Sequence, residues 1–208
     1  MAKIPKRIQE LLDQLAQDGI VPVAKWPKEK RQAHQERLRR DEVPLVEALR
    51  RAGVSINSVW DLVNTSVPHP DALPVLIEHL TGSYHPRILE GIARALAVRD
   101  PYAIEHAWPV ALDLFLRAEA DEAIKEPTRR GFKAGLAAAL SVLYTDERLP
   151  QVFELIRDSR HGDSRALLIA GLREFRKNEK AKEFLEFLCE DPYWGRLAQD
   201  VAKGTRRR

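Results

Sequence analysis

From Asp71 to Lys203 the chain keeps returning to one unit: an apolar helix, a short polar break, then a second amphipathic helix that opens near an arginine. The second helices read HPRILEGIARALAV, PTRRGFKAGLAAALSVLY, DSRALLIAGLREF and DPYWGRLAQDVAKG. A pair of helices this short cannot bury its own apolar stripe, so each pair needs a stacked neighbour. Apolar residues recur at three and four throughout, and no alternating strand pattern is present. The sequence therefore predicts an all-α array of stacked pairs, an architecture suited to presenting a surface rather than enclosing a reaction.

The repeated part spans residues 71–203. First helices are expected over 71–80, 103–117, 148–157 and 179–190, and second helices over 86–99, 127–144, 164–177 and 192–203. Pro86, Pro127 and Pro192 sit near second-helix starts, where a missing N–H costs nothing. Residues 1–70 read as additional helices. Ile4 to Gln17 carries one apolar face and ends at Gly19. Lys28 to Arg40 is helix-like but almost wholly polar. Pro44 is expected to open the next helix, which Gly53 stops, and a short helix follows over Ile56 to Asn64. Residues 204–208 form a basic tail.

The second-helix openings Pro86-Arg87, Arg129 and Asp163-Ser164-Arg165, with small and large apolar residues behind them, resemble HEAT repeats, the helix-pair units of armadillo-type solenoids. That resemblance covers about Asp71 to Lys203 and implies a right-handed α-α superhelix whose second helices line a concave side. It also implies that the opening arginines can bind carbonyls or an acid of the next unit. The sequence departs from the HEAT pattern in its uneven spacing and in Trp194, which stands where an arginine is usual.

Charge adds a second constraint. The formal net charge is +3 over 208 residues. Residues 1–52 hold 12 basic and 8 acidic residues, net +4, while the four basic residues from Lys203 onward have no acid among them. Within the repeats, the first helices total −4 and the second helices +9. Combined with the HEAT likeness, this predicts a basic concave face carried by Arg94, Arg130, Lys133 and Arg173, with Arg87 and Lys177 beside them. Such a face attracts acidic proteins or polyanions. The partner expected here is an acidic protein, with nucleic-acid backbone as the alternative.

Enzymatic signatures are sparse. The six histidines show no HExxH or paired Cys/His spacing, and the glycines form no phosphate-binding loop. Cys189 sits in FLEFLCED without a basic neighbour to activate it, and a lone cysteine suits a reducing, cytoplasmic setting. No apolar run approaches the roughly 20 residues of a membrane helix. Glu119, Asp121 and Glu122 could hold a cation but read first as a solvated loop. HEAT-like alkylpurine DNA glycosylases set a carboxylate and an aromatic in a basic groove. The counterparts would be Glu90 or Asp200 with Trp194, although no motif of that family is present. The expectation is a non-enzymatic protein without cofactor, metal or small-molecule substrate.

Overall fold

The computed structural model describes residues 26–124 and 131–204. Among them every regular element is helical: α1 (Lys28–Arg51), α2 (Val59–Val63), α3 (Ala72–His79), α4 (Pro86–Ala95), α5 (Pro101–Arg117), α6 (Phe132–Leu143), α7 (Leu149–Arg157), α8 (Arg165–Gly171), α9 (Glu179–Cys189) and α10 (Gly195–Ala202). Short 3-10 turns cover Asp121–Ala123, Asp146–Arg148, Ser159–Ser164 and Leu172–Phe175. No helix here is long and apolar enough to cross a membrane.

The even-numbered helices form a continuous row, since α2 packs on α4, α4 on α6, α6 on α8 and α8 on α10. On the odd side α1 packs on α3, α3 on α5, and α7 on α9. The pairs α3–α4, α5–α6, α7–α8 and α9–α10 join the two layers. Ile92, Leu96, Leu136, Leu140, Leu168 and Leu172 are sealed between them. The apolar residues at helical spacing in the sequence are thus the ones removed from water, at roughly 25 cal/mol per Å² of apolar surface.

Three glycines set how closely the even helices approach. A Cβ on Gly91 of α4 would lie 2.5 Å from Val59 Cγ1 at the start of α2. One on Gly135 of α6 would sit 3.0 Å from the carbonyl oxygen of Glu90 on α4. One on Gly171 of α8 would come 2.6 Å from the Ser141 carbonyl oxygen of α6 and would also meet the Tyr144 hydroxyl. α4, α6 and α8 therefore each turn a bare backbone patch toward the preceding even helix, although glycine inside a helix costs about 1 kcal/mol against alanine.

Carboxylates pin the N-termini of α2, α4, α6 and α10, three of them from earlier elements and one from the adjoining turn. Glu42 of α1 accepts from Val59 N at 2.6 Å and from the Ser58 hydroxyl at 3.0 Å. Burial pushes the Glu42 carboxyl above its ordinary pKa, against the pull of those two donors. Its neighbour Asp41 accepts from His85 N, just ahead of α4, at 2.6 Å. Asp121 accepts from Gly131 N and Ala134 N at the start of α6. Asp191 accepts from Tyr193 N and Trp194 N ahead of α10. These bonds satisfy donors that a helix start leaves open.

Arginine-on-tryptophan contacts recur along the array. Arg87 lies 3.7 Å from the Trp60 ring centroid, Arg148 4.7 Å from Trp108 and Arg165 5.3 Å from Trp194. Arg148 also donates to the carbonyls of Ile104 and Leu143, and Arg165 to Gly162 and Ile156. Arg165 thus ties the start of α8 to the preceding turn and to α7 of its own pair, while its guanidinium covers Trp194 of the last pair.

Several boundaries differ from expectation. Lys28 to Arg51 is one helix with Pro44 inside it, not two helices divided near Pro44. Asp41 and Glu42, just before the proline, are fixed by bonds to α4 and α2, which holds this stretch in register. The short helix begins at Val59 rather than Ile56, because Asn57 N and Ser58 N both donate to Asp61 in a capping box. The second helix of the third pair tightens to a 3-10 turn after Gly171, and α4 ends at Ala95. The expected helix over 4–17, the segment 125–130 and the tail from 205 lie outside the described residues.

Gly171→Ala tests the close approach. At an unconstrained helical site this change stabilises by up to about 1 kcal/mol. Here the new methyl meets the backbone of α6, so urea unfolding should show a loss of about 1–2 kcal/mol. A gain in stability would mean that the even row is not packed this tightly.

Candidate functional site

The residues singled out in the sequence do not all reach one face. Arg87 and Arg94, two helical turns apart on α4, converge on Glu90 between them. Arg87 Nη1 lies 2.7 Å from Glu90 Oε2, and Arg94 Nε lies 2.8 Å from Oε1. The Glu90 side chain is 8% exposed, against 47% for Arg87 and 32% for Arg94. The indole of Trp60 underlies Arg87, and a Cβ on Gly131 would come 2.7 Å from Glu90 Cδ, so the carboxylate occupies space that only glycine leaves open. Three charged groups are thereby locked together with a formal balance of +1.

Lys133 must be removed from the expected basic face. It is 2% exposed, and its ammonium donates to the carbonyl of Ala118 at 2.6 Å while lying 4.9 Å from the Phe115 ring centroid. Ala118 caps the C-terminus of α5, where a cation complements the negative helix end. Lys133 is therefore a buried strut between α6 and α5. Its spacing from Arg130 suggested a shared exposed face, but α6 turns this position inward.

Arg173 is half-buried in the 3-10 turn after α8, and Lys177 is exposed just beyond it. Arg99, following α4, is exposed and lies 5.6 Å from the ring centroid of Phe175 in that same turn. The exposed cations Arg99, Arg176 and Lys177 thus all follow the C-terminal ends of even helices. Arg130 and Arg129 lie outside the described residues. Spacing alone did not reveal Glu90 as the group that orders Arg87 and Arg94, although acid at three and at four residues from two arginines is a readable signal.

The other chemical candidates are mostly structural. Glu90 is held by two guanidiniums, and Trp194 is 7% exposed with Arg165 over its ring. Neither leaves an open face for a nucleobase. Asp121 caps α6. Among the described residues no three His, Cys, Asp or Glu side chains are grouped to hold a metal ion. Burial, then the negative charges of Glu190 and Glu186, push the Cys189 thiol above its ordinary pKa, which disfavours the thiolate a nucleophile needs.

His161 is 3% exposed, its ring lies 4.5 Å from that of Phe115, and neither ring nitrogen has a hydrogen-bond partner among the described residues. Burial first, then the charge of Lys133, lowers its pKa below 6.5; Asp158 opposes the shift, and Arg160 and Arg165 add to it.

No family model matches the chain, and no curated protein or solved structure does so either.

Two measurements check this geometry. Glu90→Ala strips two guanidiniums of their common acceptor and should cost about 2 kcal/mol in urea unfolding. Arg94→Ala removes one partner that is itself 32% exposed and should cost about 1 kcal/mol or less. The reverse order would show that Glu90 does not organise the cluster. For His161, the folded state holds a proton less readily than the unfolded chain. Stability must then fall as pH drops through 6.5, the ordinary histidine value. His161→Phe should lose less stability than the wild type between about pH 7.5 and about pH 5.5. Equal losses would place the acid sensitivity elsewhere.

Proposed function

We propose that this chain is a non-enzymatic, HEAT-like scaffold whose even helices line the concave side of a right-handed superhelix and dock an acidic protein. The Arg87–Glu90–Arg94 cluster carries the reading. Glu90 accepts one donor from each arginine, and a guanidinium has five, so most of their N–H groups remain for a partner. Stacking on Trp60 and pairing with Glu90 fix both side chains in advance, which reduces the entropy lost on binding. Arg99, Arg176 and Lys177 extend positive charge along the C-terminal ends of the row.

Acidic protein is favoured over nucleic-acid backbone because Glu90 stands between Arg87 and Arg94, and Glu174 between Arg173 and Arg176 along the chain, so the cations form no unbroken track. Discrete charges of both signs match a folded surface better than a line of phosphates. The lone Cys189 and the absence of a membrane-length apolar helix among the described residues accord with work in the reducing cytoplasm.

Affinity capture from an extract of the source cells tests this, with wild type and the Arg87→Glu/Arg94→Glu variant run side by side. Proteins of low isoelectric point should be retained by wild type, survive nuclease treatment and disappear from the variant. Loss of all retained material on nuclease treatment would assign the face to nucleic acid. Identical capture by the variant would overturn the site.

A further inference from the structure

A cavity of about 340 Å³ opens between the α2–α3 connection, one side of α3 and the C-terminal end of α4, away from the Glu90 cluster. Its wall is mainly apolar, with Leu62, Leu73 and Ala95 among the lining groups, while Thr65, Ser66 and His69 line it from the α2–α3 connection. Two apolar side chains stand exposed at the rim beside Ser66: Val67 is 61% exposed and Val98 39% exposed, so the chain leaves them uncovered where they border the opening. Arg99 also lines the cavity. It makes no ion pair with any described residue, and its guanidinium carbon lies 5.6 Å from the centroid of the Phe175 ring.

Asp100, the only carboxylate among the described residues that line the cavity, is already committed. Its Oδ1 accepts from Tyr102 N at 2.8 Å and Ala103 N at 3.2 Å as the N-cap of α5. Its charge is thereby directed into a helix start, whose positive end offsets it. Arg99 is left as the charge that a ligand can neutralise.

We propose that this cavity is a binding site for a small carboxylic acid bearing one aromatic or branched aliphatic group. The apolar part fills the space between α3 and α4, and the carboxylate pairs with Arg99. The volume stands near the lower end of the range for small-molecule sites, roughly 300–1,000 Å³, which suits one such group and not a long acyl chain. Arginine matches a carboxylate in a two-point geometry, and the apolar surroundings strengthen that pairing. The site does not depend on the docking reading above, because Arg87, Glu90 and Arg94, which carry that reading, do not line it; Arg99 alone enters both.

The test is titration of the isotopically labelled full chain with 3-phenylpropanoate and its neutral counterpart 3-phenylpropanamide, followed by amide NMR shifts. The acid should perturb Ala95, Val98 and Arg99 and leave Glu90 and Arg94 unmoved. The amide should bind about tenfold more weakly, and Arg99→Gln should weaken the acid by a similar factor without altering the amide. Equal binding of acid and amide, or shifts outside the cavity, would overturn the assignment. So would a dipeptide such as N-acetyl-Leu-Phe binding more than about tenfold tighter than the acid, which would mark the cavity as a seat for a protein terminus. Failure of this experiment leaves the capture result at Arg87 and Arg94 unaffected, and the converse also holds.

Discussion

Backbone proximity within the even row governs the architecture. Gly91, Gly135 and Gly171 each face the preceding even helix, and at each a methyl group would collide with that neighbour. Close contact lets the leucines and isoleucines behind the glycines interdigitate, and a protein interior tolerates few voids. The odd helices then have only to cover the other side of a row already fixed in spacing. The local helical cost of each glycine is small beside the apolar surface that the close fit removes from water.

Polar groups decide orientation where apolar packing is non-directional. Glu42, Asp41, Asp121 and Asp191 each terminate an exposed set of N–H donors at an even-helix start. Arg148 and Arg165 do the complementary work on carbonyls while lying over tryptophans. Acids and arginines that look like generic surface charge are thus tied to particular neighbours. Formal charge overstates what such a surface offers to a partner, and Lys133, wholly committed to Ala118 and Phe115, is the clearest case.

Helix periodicity carried most of the fold. Helices stand within each expected span between 71 and 203, some of them shorter than expected, because apolar residues at three and four reflect burial directly. Pro44 misled because its local preference to open a helix gave way to the bonds made by Asp41 and Glu42. The candidate face was legible only in part. Arg87 and Arg94 do lie together, yet what joins them is Glu90, and the charge on Lys133 says nothing about which way α6 is rotated. The glycines within the second helices were plain in the sequence as weak helix formers. Their use depends on what lies opposite, which periodicity within one helix does not encode.

The adjacency of Asp41 and Glu42 couples elements far apart in the chain. One residue holds the start of α4 and the next holds the start of α2. Lifting this turn of α1 withdraws both acceptors together, so the leading end of the array comes loose as a single cooperative block rather than fraying helix by helix. A two-residue clasp sets the size of that block.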